Sequence, residues 1–288
     1  VTVRFIAEPA NRVQLLSGGD VDLATEIPAN DVEQLADTEG VVIDSRASNK
    51  ILFFAMNNEI APFDDPLVRQ AISYAIPYEQ LVDDVMEGQA SPLTSSVPSS
   101  MAGFDDSTYA YEHDLDRARE LLAQAGYPDG FTFDFTLGGG FQDWSDDAVL
   151  IQAELAQIGV TMNIQNMARP QFLEALDTRQ VQAYISRWTS FVNDPQYHLG
   201  LLMTTDTSSN YMNYSNPEVD ALWQQASQET DESVREDLYA QMQALITADA
   251  PWAYLYEYNI VVGLSEGTEG YTSYPDGIVR FAQLSVEE

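Results

Sequence analysis

Short apolar strands alternate with helices opened by a capping residue along the chain, and that alternation restricts it to the α/β class. Residues 50–57, Lys-Ile-Leu-Phe-Phe-Ala-Met-Asn, read as a strong apolar strand. Asp65 then caps a helix with Pro66 in its first turn, where proline has no N–H to waste, and Val68, Ala71, Ile72 and Ala75 follow at helical spacing. A further helix runs from about Tyr78 to Met86. Asp114 opens another through Leu122, which Gly126 stops. Residues 131–137 alternate as a strand before Gly138-Gly139-Gly140. The spacing then predicts a helix over 145–157, a strand over 160–164, a helix over 171–176 and a strand over 181–186. Asn216-Pro217 opens a helix to about Gln228. A longer helix covers 233–248, and Trp252–Tyr258 is an aromatic strand. Upstream, Val1–Phe5, 21–25 and 41–43 read as strands, and 10–17 and 28–36 as helices.

With 288 residues the chain is long enough for about two domains, and 45% of it is hydrophobic. No run of about 18 apolar residues could span a membrane. The first residues lack a basic region, apolar core and cleavage site, so an export signal has been removed or the sequence starts in mid-protein. Cysteine is absent, which excludes thiol catalysis and thiolate metal sites. The balance of 46 acidic against 12 basic residues gives a net charge of −34, and Lys50 is the only lysine. Such a surface repels nucleic acid and anionic lipid. The acids are spread along the chain, as expected of a solvated surface suited to salty surroundings.

Few patterns carry catalytic chemistry. The two histidines, His113 and His198, sit in no nucleophile motif. There is no G-x-S-x-G elbow, Walker loop or H-E-x-x-H helix. The glycines at 138–140 precede a helix as a phosphate loop would, but Asp143, Asp146 and Asp147 oppose a phosphate there. The run 143–147 lacks the glycine and distal Glu of a calcium loop, and Asp143 or Ser145 reads as a helix cap. With 46 acids some carboxylate pair always suits hydrolysis, so such pairs discriminate nothing.

Four segments together resemble one family. Leu16-Ser17-Gly18-Gly19-Asp20-Val21-Asp22-Leu23 resembles an L-x-x-G-E-x-D signature. Asn57 with residues 62–76, Pro-Phe-Asp-Asp-Pro-Leu-Val-Arg-Gln-Ala-Ile-Ser-Tyr-Ala-Ile, resembles the most recognisable stretch. Residues 115–130 match A-x-x-L-L-x-x-A-G-Y-x-D-G. Tyr214 to Leu222, with Arg235 and Tyr239, resemble the fourth. Their order and spacing are similar to those of extracytoplasmic solute-binding proteins of family 5, the peptide/nickel type that serves ABC importers.

The resemblance implies a two-lobed, periplasmic-binding-protein-like α/β architecture of the class with an extra domain, here truncated at the N-terminal side. Residues 1–50 would be part of the first lobe, 51–258 a nearly complete second lobe and 259–288 a return to the first. The hinge would lie near 49–57 and 256–262. It implies capture of a small solute (oligopeptide-like, oligosaccharide or opine-like) without catalysis or cofactor, and delivery to ABC permease subunits. The protein would act as a monomer, periplasmic or otherwise extracytoplasmic, with a lipid anchor to the cell surface as one option. A metal-chelate binder of the same family and an acidic hydrolase are the alternatives.

Peptide-binding members carry G-W-x-x-D-x-x-D-P at the cleft, where the first Asp pairs with the peptide ammonium. Here the run is Arg187-Trp188-Thr189-Ser190-Phe191-Val192-Asn193-Asp194-Pro195. Phe191 replaces the amine-binding Asp, and Arg187 replaces the Gly. Phe191 offers an ammonium at most a cation–π face, so a free-amine peptide is disfavoured. Trp188 and Phe191 either stack on a ligand or pack within the lobe. Arg187 either holds a carboxylate or phosphate or pairs with an acid. Thr189 completes the segment. Phe141 and Trp144, beyond the glycine turn, are further ligand-binding candidates, with burial as the alternative for Trp144. Asp194 reads as a helix cap, and His198 as a buried polar residue or, less readily, a ligand of a metal chelate.

Overall fold

The computed structural model describes residues 1–286. In chain order its elements are α1 (Pro9–Ser17), β1 (Leu23–Thr25), α2 (Ala29–Ala36), β2 (Val41–Met56), α3 (Pro66–Tyr74) and α4 (Tyr78–Gln80), which continues as a π-helical turn over Leu81–Val85. There follow β3 (Ala90–Pro92), α5 (Leu115–Gln124), β4 (Thr132–Gly138), α6 (Gln142–Gln157), β5 (Thr161–Met167), α7 (Arg169–Asp177) and β6 (Ala183–Thr189). The chain ends with α8 (Pro195–Leu202), α9 (Pro217–Ala226), α10 (Glu232–Asp249), β7 (Trp252–Ser265), β8 (Thr268–Glu269), a 3₁₀ turn and β9 (Ser285–Val286).

The local signals act as the sequence predicts. Asp65 accepts from Leu67 N, Asp114 from Asp116 N and Arg117 N, and Asn216 from Glu218 N. Each satisfies backbone donors that the first helical turn leaves free. The first turn of α6 differs from expectation. That helix starts at Gln142, its N-cap is Phe141 with no side-chain cap, and Ser145 instead donates back to the Phe141 carbonyl. Asp143 is drawn off by a tyrosine from another strand, described below.

One mixed sheet, ordered β1-β7-β2-β6-β4-β5 with β3 also on β7, carries the molecule. The runs at 41–43 and 50–57 are not separate strands but the two ends of the 16-residue β2. β2 pairs antiparallel with β7 along most of its length. Two apolar cores lie along this pair. The smaller gathers Leu16, Ala24, Ile27, Leu35, Val41 and Val261. The larger is built on Ile51–Met56, β4, β6 and the aromatic half of β7.

Between the cores the ladder breaks register at Ala47/Ile51, and it shifts again at Leu52/Phe53, inside the larger core. Polar groups take over there. Ser48 and Asn49 are buried; Ser48 donates to the Tyr258 carbonyl at 2.6 Å, and Asn49 Nδ2 to the Ser190 carbonyl at 3.3 Å. Ser100 donates to Asn49 Oδ1 at 2.8 Å. The register slip therefore leaves no buried polar side chain of this segment without a partner.

Val1–Phe5, expected as a strand, belongs to no strand or helix, and Phe5 is fully exposed. Alternation alone makes no strand; an edge to pair with is also needed. Past Val261, β7 continues without interruption to Ser265, and the short strands β8 and β9 follow.

Candidate functional site

Residues from both cores meet beside the register break. Arg187 lies on β6 opposite Leu52, and Thr189 opposite Lys50. Successive side chains of a strand point to opposite faces. Arg187 and Thr189 thus share one face, and Trp188 takes the other. On the first face, the Arg187 guanidinium lies over the Phe141 ring at 4.5 Å. Phe141 stacks in turn on Trp144, with centroids 4.4 Å apart. Arg169, at the start of α7, stands 5.4 Å from both the Phe141 and Trp144 rings. Its buried Nη1 has no hydrogen-bond partner among the described residues.

Beside the smaller core stands Glu26, which follows β1 and holds a left-handed φ of 55°. Its carboxylate accepts from Lys50 Nζ at 3.1 Å and lies 4.0 Å from Arg187 Nη1. Arg12 on α1 donates to the Glu26 carbonyl at 2.8 Å, holding that backbone in place. Burial works against ionisation of Glu26, but Lys50, Arg187 and Arg12 together hold its carboxyl below the usual range. Burial also draws the Lys50 ammonium below its usual value, with Glu26 opposing and Arg187 adding to the shift. Lys50 lies over the Tyr258 ring at 4.8 Å.

Tyr258 connects these groups to α6. Its hydroxyl donates to Asp143 Oδ2 at 2.7 Å and accepts from Trp144 Nε1 at 3.1 Å. One turn further on, Tyr256 donates to Asp147 at 2.8 Å. Burial pushes the Asp147 carboxyl well above its usual range, against the hydrogen bond from Tyr256, and the pair is a buried anchor between β7 and α6.

The candidates from the sequence therefore separate. Arg187, Phe141 and Thr189 line one face, where Arg187 both caps an aromatic ring and approaches an acid. Trp144 is fully buried, so it supports Phe141 and Tyr258 and offers no free face for stacking. Trp188 is half-buried on the opposite face, 6.2 Å from Tyr197. Phe191 lies beyond the strand and is 62% exposed. Asp194 caps α8 through Gln196 N at 2.9 Å and pairs with Arg235 at 2.9 Å, as its Asp-Pro context suggested. His198 is fully buried, and among the described residues no group of three or more His, Asp or Glu side chains is arranged to hold a metal. Glu26, Lys50, Arg169 and Tyr258 were not singled out by the sequence reading. Lys50 carried one signal, as the only lysine; the others become neighbours only through sheet order.

A groove of about 750 Å³ also runs between α8 and α9, lined by Tyr197, Leu201, Asp220 and Trp223 among others. Trp223 fills the space above Gly200, where a Cβ would come within 2.6 Å of its indole nitrogen. No helix among the described residues is long and apolar enough to cross a membrane.

Comparison with known proteins bears on this architecture. Residues 1–210 match the family model for bacterial extracellular solute-binding proteins, family 5 (middle). The chain is 29% identical to a glutathione-binding protein of Pectobacterium atrosepticum, covering all of this chain and 58% of that protein. It is 27% identical to heme-binding protein A of Haemophilus influenzae, covering 54% of it. The chain thus spans little more than half the length of these relatives. Among solved structures, it superposes with a TM-score of 0.91 on an ABC transporter-associated periplasmic binding protein of Helicobacter pylori in complex with the peptide STSA, at 29% identity over 99% of this chain and 56% of that one. A binding protein of Agrobacterium tumefaciens in complex with agropinic acid has the same fold, at a TM-score of 0.85 and 21% identity.

Proposed function

Since the chain belongs to the bacterial extracellular solute-binding proteins of family 5, we propose that it is the solute-capturing part of an ABC importer, which closes two lobes over a small ligand and presents it to a membrane permease. The supporting observation is the arrangement at the register break. Both apolar cores lie along the β2–β7 pair, and Glu26, between Ala24 and Ile27 of the smaller core, faces Lys50 and Arg187 at the edge of the larger one. Residues 1–50 and 259–288 belong to the first lobe in this reading, and 51–258 to the second. The hinge is the polar crossover at Ser48–Lys50 and Tyr258–Asn259. Ligand binding that bridges the lobes would favour the closed form.

The ligand is an oligopeptide-like, oligosaccharide or opine-like solute, taken up outside the cytoplasm by a monomeric protein. Glutathione, named for a relative at 29% identity, is a peptide-like candidate. Peptides that rely on a free α-ammonium fit poorly, because Phe191 stands where peptide binders place an anion. The candidate residues perform no step on the ligand; they stack and hydrogen-bond.

The test is a thermal-shift screen of the protein at its full natural length against peptides, oligosaccharides, opine-like compounds and metal chelates. Stabilisation by one class without chemical change of the ligand is the expected result. Conversion of any ligand to product would replace capture with catalysis.

A further inference from the structure

We propose that Glu26 and Arg187 form an electrostatic latch between the two lobes, with Lys50 at the hinge holding the carboxylate in place, and that this latch sets how far the ligand-free protein opens. The inference rests on the solute-capture reading and adds the control of its lobe motion.

The three residues come from three parts of that reading. Glu26 follows β1 in the first lobe, Lys50 lies at the hinge on β2, and Arg187 is on β6 in the second lobe. The carboxylate divides its oxygens between the two cations. Oε1 accepts from Lys50 Nζ at 3.1 Å, whereas Oε2 lies 4.0 Å from Arg187 Nη1. The second separation is beyond hydrogen-bond reach. An approach of about 1 Å between β6 and the loop after β1 would turn it into a charge-assisted hydrogen bond. The pair is therefore poised to close.

Both partners are kept from turning away. The Arg187 guanidinium lies over the Phe141 ring at 4.5 Å and makes no hydrogen bond among the described residues. Glu26 is held through its backbone. Arg12 on α1 donates to the Glu26 carbonyl at 2.8 Å and to the Ile6 carbonyl at 2.9 Å. The φ of 55° at Glu26 lies in the region that favours glycine. Glycine would take that backbone without strain, but it would bring no carboxylate. A strained acidic residue where the lobes meet points to a use for its charge.

The strength of the contact suits a moving hinge. The Glu26 side chain is largely exposed and Arg187 half-buried, so salt reaches the pair. Such a pair shifts a two-state ratio by about three- to fivefold, which a bound ligand can override. The net charge of −34 acts in the opposite direction, because acids on the two lobes repel and favour opening. The latch is a local attraction set against that general repulsion.

The experiment uses the full-length protein without ligand. Spin labels on Gln34→Cys in α2 and Gln225→Cys in α9, both exposed, report the distance between the lobes by double electron–electron resonance. Any cysteine outside these 288 residues is replaced by serine. Glu26→Gln should raise the ratio of wide to narrow separations by about threefold or more at about 0.01 M sodium chloride, and hardly at about 1 M. Comparing variant with parent at each salt concentration removes the general repulsion, which both share. Arg187→Gln should match Glu26→Gln, and the double substitution should add nothing further. Arg117→Gln, whose pair with Glu120 lies on α5, should behave as the parent. Unchanged melting temperatures of the variants show that the fold is intact. Distances in Glu26→Gln and Arg187→Gln that equal the parent's at low salt overturn the latch, and effects of the two that simply add overturn the pairing. In either case a parent with both wide and narrow separations leaves lobe motion standing. A single narrow separation in every form refutes lobe motion together with the latch.

Discussion

Tyr258 donates its hydroxyl to Asp143 Oδ2 at 2.7 Å, which ties the point where β7 passes between the two cores to the first turn of α6. The same oxygen accepts the Trp144 indole N–H at 3.1 Å. A residue at the crossover thus fixes the ring that supports Phe141. Tyr258→Phe should leave both groups without their partner and cost about 2 kcal/mol in denaturant unfolding. Tyr258→Leu, which also removes the aromatic face under Lys50, should cost more. Equal stability of Tyr258→Phe and the parent would show that this tie contributes nothing.

Arg69 is buried and donates to the carbonyls of Phe63 at 2.8 Å and Asp249 at 2.7 Å, joining α3 to the end of α10. Its planar fork reaches carbonyls that an ammonium could not satisfy together. Arg69→Lys is expected to destabilise the protein by about 3 kcal/mol, measured by urea unfolding. A loss within 0.5 kcal/mol, roughly that of an ordinary surface change, would contradict this role.

His198 supplies a pH signature. Burial lowers its imidazole to about 3, with a backbone contact at Ser96 opposing, so the folded protein holds it neutral. The unfolded chain takes up a proton near the ordinary value of about 6.5. The unfolded state therefore binds more protons between these values, and stability falls as pH drops through 6.5. Relative to His198→Leu, the parent should lose about 2 kcal/mol between pH 7 and pH 5. A constant difference across that range would mean that the imidazole is charged or solvated when folded.

The net charge of −34 makes stability depend on salt. The Debye length shrinks from about 30 Å at 0.01 M to about 3 Å at 1 M, which screens the self-repulsion of the folded state. The melting temperature should rise by roughly 5 °C across that range, seen by calorimetry with sodium chloride. A flat or falling profile would place the acids in local pairs that salt weakens.

Phe191 offers a gain-of-function test of the peptide reading. Phe191→Asp introduces the residue type that the resemblance to peptide-binding members implies for pairing with an α-ammonium. Unmodified dipeptides should then stabilise the full-length variant more than the parent, by about 1–3 kcal/mol of binding. Parent and variant responding alike would remove Phe191 from the recognition of the amine.

Helix starts were legible in residue order because their chemistry is local. Asp65, Asp114 and Asn216 cap through backbone groups two or three residues away, so a short window holds both partners. The α/β class and the family pattern followed from the same kind of signal, repeated along the chain. The fusion of 41–43 and 50–57 into one strand was not local, since every residue of β7 that pairs with it lies more than 190 residues later. Trp144 shows the same limit: its position after a glycine turn suggested an open face, but packing against Phe141, Phe172 and Tyr258 buried it.

Residue order alone settled the helix boundaries that side chains can cap, the excess of acid and the family to which the chain belongs. Which charges became neighbours depended on tertiary packing, which set Arg169 and Arg187 against the Phe141 ring and Glu26 beside Lys50 and Arg187. That outcome lies beyond any local rule, because a strand's partner and register are chosen by burial of whole faces and not by the residues adjacent in the chain.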